Sequence, residues 1–169
     1  KGGSTISAFK KRVAVSVSIL LLVVLYYLLT ETIKGLVINS SISFRFENIL
    51  SLPHISHTGM LIIGCLLFGF LLIYELVGKL FFRWSIDLKT FVIAAISGIL
   101  LHAVFTFISG NFDPLASLFL LILFALLLFK INEKTSVTYQ VSRVISLVIV
   151  LSVLATNLLN RSETLREHQ

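Results

Sequence analysis

A chain of 169 residues with 57% hydrophobic residues, 13% charged residues and a mean hydropathy of +1.01 falls outside the range of soluble globular domains, in which about a quarter of residues carry charge. The net charge of +6 is distributed over the ends of apolar runs and forms no single patch. That pattern speaks against a nucleic-acid partner and for membrane topology. The composition predicts an all-α, polytopic membrane helix bundle whose first partner is the lipid bilayer.

Residues 1–12 read as a basic cytoplasmic linker. Gly2, Gly3, Ser4 and Thr5 are flexible, and Lys10, Lys11 and Arg12 form a stop at the membrane edge. A secretory signal also begins with basic residues and an apolar run, but here no small-residue cleavage site follows and further apolar runs do. The first span is expected at residues 13–29, near the roughly 20 residues that cross a hydrocarbon core of about 30 Å. Tyr26 and Tyr27 at its far end fit an aromatic belt. Residues 30–58 form an outer segment, followed by a second span at 59–80 and a third at 90–109. Between those spans lies a connector with Lys79, Arg83, Asp87 and Lys89, with Trp84 at the interface. At the turn 111–114, Asp113 is placed to cap a helix and Pro114 to occupy its first position. The fourth span, 115–129, is almost entirely Leu and Phe. A polar connector at 130–143 leads to the fifth span, 144–159, and residues 160–169 are expected to start an extracytoplasmic helix. The start without Met and the polar end suggest a segment of a longer protein.

Lys1, Lys10, Lys11, Arg12, Lys79, Arg83, Lys89, Lys130, Lys134 and Arg143 fall on one side of this five-span arrangement, and Lys34, Arg45, Arg161 and Arg166 on the other. The positive-inside rule then places the N-terminus in the cytoplasm and the C-terminus outside.

The outer segment is the one long stretch that is neither an apolar run nor a short connector. Ile42, Phe44 and Phe46 alternate with Ser43, Arg45 and Glu47 at a strand period, whereas Ile42, Phe46, Ile49 and Leu50 lie at helical spacing. In a chain this helical, a short amphipathic helix in the interface is the expected form, with Arg45 and Glu47 on its polar side. His54 and His57, three residues apart, have the spacing to share a metal or sense protons, but no Cys or third ligand stands near them in sequence.

Ionisable and polar groups inside spans are the candidate coupling residues, because burying them is costly. Glu75 lies about one turn from the cytoplasmic end of the second span, where interfacial hydration and partners such as Lys79, one turn on, are expected. His102 lies deeper, so a direct Glu75–His102 relay is not expected. His102 shares a stripe with Ala94 and Gly98, the small-residue spacing that lets helices approach closely, and the stripe is expected to face another span. A partner for the imidazole is sought on the fifth span, which carries Ser146, Ser152, Thr156 and Asn157. Cys65 is read as a small apolar residue of a helix face.

The sequence carries no Gly-rich phosphate loop, nucleophile–His arrangement, paired carboxylates or metal-ligand cluster. No catalytic, cofactor or metal residue is therefore assigned. Residues 36–52, LVINSSISFRFENILSL, followed by a span opening at Gly59 and another opening at Asp113-Pro114-Leu115, resemble the multi-span membrane region of large Gram-negative sensor histidine kinases. The final Asn160-Arg161-Ser162-Glu163 and Leu165-Arg166-Glu167-His168-Gln169 are similar to the helix that leads that family into an outer sensor domain. The resemblance implies an inner-membrane anchor and signal-coupling region of a homodimeric two-component receptor, with ATP bound by a kinase domain beyond this segment. Small-solute transport and an accessory membrane subunit are the alternative expectations.

Overall fold

The structure is a computed structural model, and it describes residues 8–38, 54–84, 86–109, 113–132 and 137–167. It contains five helices: α1 (Ala8–Ile38), α2 (His54–Trp84), α3 (Leu88–Ile108), α4 (Pro114–Asn132) and α5 (Val137–Glu167). All regular structure among the described residues is helical, as the composition requires. α1, α2, α3 and α5 are long and apolar enough to cross a membrane, while the apolar part of α4 is shorter, Pro114–Leu128. At 1.5 Å per residue, the 19 residues of α4 span about 28 Å, close to a hydrocarbon core of about 30 Å.

The helices overrun the spans expected from hydropathy. α1 continues through Thr30, Glu31 and Lys34 to Ile38, because those polar groups are satisfied within the helix. Thr30 Oγ1 donates to the carbonyl of Tyr27, and Lys34 Nζ meets Glu31 Oε1 at 2.9 Å. α2 already starts at His54, so the outer segment is shorter than the 29 residues from 30 to 58. Its centre, with Arg45, Glu47 and the proposed amphipathic helix, lies outside the described residues. α5 begins before Arg143 and runs unbroken to Glu167. Arg143 is therefore part of a helix and not of a connector, and the helical residues 160–167 are continuous with the fifth span.

α1 is the helix on which the others assemble, touching α2, α3, α4 and α5. Its buried residues Val15, Ile19, Leu22, Tyr26, Leu29, Ile33 and Val37 recur every three or four positions, the seam of a helix packed side by side with others. The opposite side carries exposed Val13, Val17, Leu20, Val24 and Leu28. A helix apolar all round, with both buried and exposed aliphatic faces, is one whose second solvent is lipid. The protein is thus a helical integral membrane protein.

The expected stripe on α3 packs as read: Ala94, Gly98 and His102 are all buried. A Cβ on Gly98 would stand 3.0 Å from Val23 Cγ2 and 3.1 Å from Ile19 Cγ2, and 3.8 Å from Phe124. Close approach of α1 and α3 thus depends on the missing side chain. Gly64 of α2 has nothing within 4 Å of such an atom. Gly98→Leu is expected to destabilise the bundle by about 1–3 kcal/mol through overpacking, and Gly64→Leu by less than about 0.5 kcal/mol. Thermal or denaturant unfolding of both variants in the same bilayer mimic checks the difference.

Candidate functional site

The polar groups of the bundle collect at its two ends and meet on α5. At one end, Arg143 of α5 faces Glu75 of α2. The guanidinium Nη2 donates to Glu75 Oε2 at 2.9 Å, and Nη1 lies 2.7 Å from Oε1 as a charge contact. The two side chains are 7% and 19% exposed. This two-point geometry is what a planar guanidinium offers a carboxylate and a lysine does not. Arg143, brought to α2 by the early start of α5, is thus a partner of Glu75 that the sequence reading did not name. Lys11 Nζ donates to the carbonyl of Trp84 at 3.2 Å, placing the start of α1 and the end of α2 at this same end of the bundle.

At the other end, Arg161 of α5 reaches Asp113 Oδ2 at 2.8 Å. The Asp113 side chain is 2% exposed and Arg161 47%, so the carboxylate is sunk and the cation reaches it from the rim. Its other oxygen, Oδ1, accepts from the backbone amides of Leu115 at 3.0 Å and Ala116 at 3.4 Å. Asp113 caps α4 as expected, with Pro114 at the first helical position. One residue therefore both starts α4 and anchors α5. Positions 143 and 161 are 18 residues apart, five turns at 3.6 residues per turn, and about 27 Å along the axis. Both arginines thus project from one face of α5, a hydrocarbon thickness apart. The charge spacing was present in the sequence, but it was hidden by assigning Arg143 to the polar connector.

His102 is 1% exposed on α3 and packs at the Asp113 end. Its ring centroid lies 5.4 Å from that of Tyr26 and 6.5 Å from that of Tyr27. Ser117 Oγ stands 3.4 Å from Nδ1, and Nε2 has no hydrogen-bond partner among the described residues. Asp113, Glu31 and Lys34 lie within electrostatic range of the ring. The hydroxyl beside the imidazole is Ser117 of α4 and not one from α5, where Ser146, Ser152 and Thr156 donate to carbonyls of their own helix. Asn157 is half-buried on α5. Glu75 and His102 have separate partners at the two ends, in keeping with the expected absence of a direct relay.

Tyr26 does not sit in a belt. It is fully buried, and its hydroxyl donates to the carbonyl of Ala116 at 2.7 Å. Tyr74 of α2 donates likewise to the carbonyl of Leu123 at 2.7 Å. In a lipid-solvated bundle a buried phenol needs an acceptor, and α4 supplies carbonyl oxygens with a free lone pair. Tyr27 is half-buried against Phe105. His54 opens α2, and His57 and Cys65 are exposed. Among the described residues, no three His, Cys, Asp or Glu side chains are grouped to hold a metal ion.

The site is thus a pair of charge clamps on one helix of a membrane bundle, with a packed histidine beside the second. No protein-family model matches the chain, and neither does any curated protein or solved structure.

Breaking the buried pair from one side leaves an uncompensated charge. Arg143→Leu is expected to cost about 3–5 kcal/mol, while Glu75→Leu combined with Arg143→Leu recovers most of that loss. Unfolding of the two single variants and the double variant tests the cycle. At the other clamp, Asp113→Ala loses both cap and ion pair and is expected to be less stable than Asp113→Asn by about 1 kcal/mol, since Asn still caps. Comparing their melting in the same membrane mimic checks the cap's share.

Proposed function

We propose that this chain is the membrane-anchoring and signal-coupling region of a sensor histidine kinase. The observation that carries the reading is the doubly clamped α5. A helix fixed at both membrane faces by Glu75–Arg143 and Asp113–Arg161 transmits a displacement at one face to the other as a rigid rod. Shifts of about 1–2 Å between packed helices are the usual currency of such coupling. An unpaired state of either clamp, beside the paired one, would supply the second state that a two-state assembly requires.

The resemblance of residues 36–52 and 160–169 to the membrane region of that family supplies the rest of the proposal. The clamp at Glu75–Arg143 faces the cytoplasm, where the basic ends of α1 and α3 also lie. The clamp at Asp113–Arg161 faces the outer compartment of the inner membrane. The receptor acts as a homodimer, and ATP is used by a kinase domain outside this segment. Small-solute transport, the leading alternative, calls for His102 and Asn157 to line a passage. His102 packs against Tyr26 and Tyr27, which favours coupling.

Translating the reading frame beyond Gln169 tests the family assignment. A further outer domain, one more span and a kinase domain are expected, and a frame that lacks an ATP-binding domain overturns the assignment. In the complete receptor reconstituted in bilayers, Arg161→Gln is expected to change the basal autophosphorylation rate at least about fivefold, the lower end of typical coupling energies. An unchanged rate in a folded variant removes α5 clamping from the mechanism.

A further inference from the structure

We infer that His102 is a proton-responsive switch of the outer clamp: on taking up a proton from the outer solution, its imidazole turns to the Asp113 carboxylate and displaces Arg161, freeing that end of α5. The inference names extracytoplasmic pH as the stimulus for the coupling proposed above, and it rests on that reading. Imidazole is the side chain whose charge changes between about pH 5 and 8, and His102 is held where a new charge is only half accommodated. The residue is 1% exposed. Ser117 Oγ lies 3.4 Å from its Nδ1 and 3.4 Å from the backbone carbonyl oxygen of Asp113. One hydroxyl proton serves one of those two acceptors. Beside a bare Nδ1 it is donated to the ring; once both ring nitrogens carry protons, Nδ1–H donates to Oγ and the hydroxyl turns to the carbonyl. The Tyr26 ring, with its centroid 5.4 Å away, also suits a cation. The other half of the ring has no such provision. Nε2 is buried without a partner among the described residues, and a buried cationic N–H with no acceptor is costly. The charged ring therefore favours a second arrangement.

The groups around the ring decide what that arrangement is. The helices packed on α3 are α1 and α4. α1 presents Tyr26, Tyr27, Glu31 and Lys34, α4 brings Asp113 at its start, and Arg161 of α5 comes in on Asp113. Two carboxylates are thus within electrostatic range, each already paired with a cation. Arg161 is the more easily displaced cation, because its side chain is 47% exposed and passes into water, whereas that of Lys34 is 16% exposed. Asp113 itself stays in place, since Oδ1 accepts from the amides of Leu115 and Ala116 while Oδ2 faces the guanidinium. The imidazolium takes over Oδ2, and the pair between α4 and α5 is exchanged for one between α4 and α3. His102 lies six residues before the end of α3 at Ile108, about 9 Å along the axis, so its proton has a short way to come. The clamp is closed while the ring is neutral and opens as the outer solution turns acidic.

The test measures distances between spin labels on the chain in nanodiscs, in a Cys65→Ser background. One pair, at Leu118→Cys and Asn160→Cys, reads the outer end, and a second, at Leu76→Cys and Val144→Cys, reads the Glu75–Arg143 end; all four positions are exposed. Lowering the pH from about 8 to about 5 is expected to lengthen the outer distance by about 1–2 Å or more. Asp113→Asn, which caps without a charge, is expected to give the long distance at both pH values, and His102→Gln the short one at both. Glu31→Gln and His57→Gln are expected to keep the response, with circular dichroism checking that the helices persist in each variant. A wild-type distance that ignores pH overturns the inference, as does a response that survives in His102→Gln or disappears in Glu31→Gln or His57→Gln. Should His102→Gln fail to fold, the imidazole nitrogen resonances of His102 in the unlabelled chain decide: they are expected to titrate with the midpoint of the distance change, and a ring that stays neutral throughout overturns the inference. The inner pair keeps the coupling reading separate. A change at the outer end alone upholds the switch and counts against transmission along α5, whereas two distances unmoved by pH overturn the switch and leave coupling by another stimulus standing.

Discussion

Two guanidinium groups on one face of α5, five turns apart, set the geometry of the whole bundle. In a bilayer an arginine within the helix needs a carboxylate, water or a headgroup, because the apolar surroundings offer no substitute. Arg143 and Arg161 each find a carboxylate on a different helix, Glu75 on α2 and Asp113 at the start of α4. Because the spacing matches the hydrocarbon thickness, both pairs form only at one depth and one rotation of α5. Buried pairs of this kind add little net stability compared with apolar packing. Their effect is to remove alternative registers, which aliphatic surfaces alone tolerate.

α4 shows why that matters. Its sequence is nearly featureless: Leu, Ile, Phe and Ala over four turns offer many equivalent ways to pack. The position of α4 is instead written in polar contacts made to it. Asp113 is tied to Arg161, the Ala116 carbonyl takes the Tyr26 hydroxyl, and the Leu123 carbonyl takes that of Tyr74. The two tyrosines come from different helices and land about two turns apart along α4, so a slide of α4 along its axis breaks both at once. Such bonds are modest in membrane proteins, on average about 0.6 kcal/mol by double-mutant cycles, but they have a direction that dispersion lacks. Phe70 lies between Tyr26 and Tyr74 in tilted contact with both rings, at centroid distances of 6.1 and 6.5 Å.

Much of this was legible from local chemistry. The helical class followed from composition, the α4 cap from Asp113-Pro114, and the buried face of α3 from Ala94, Gly98 and His102 at four-residue spacing. The errors were of another kind. Tyr26 was placed in a belt because tyrosines near span ends usually sit there, yet the choice between lipid headgroup and the Ala116 carbonyl depends on which helix lies alongside. The same dependence turned the search for a partner of His102 to α5, whereas Ser117 of α4 stands at its Nδ1. A count of basic residues by side uses Arg143 only as a charge, and so conceals that it and Arg161 share a face. Residues 39–53, where Arg45 and Glu47 lie, fall outside the described residues.

α1 touches each of the other four described helices, and it is also the first of the five to be synthesised. Chains are inserted and begin to associate from the N-terminus, so each later helix of this bundle enters the bilayer with its main docking surface already in place. The heptad-like seam of α1, from Val15 to Val37, then acts as a template on which α2 and α3 pair before α4 arrives. α5 comes last, and its two arginines meet carboxylates that earlier helices have already positioned. The cost of waiting for a later helix thus falls on the neutral hydroxyls of Tyr26 and Tyr74 and on the carboxylates, and not on the two arginines of α5.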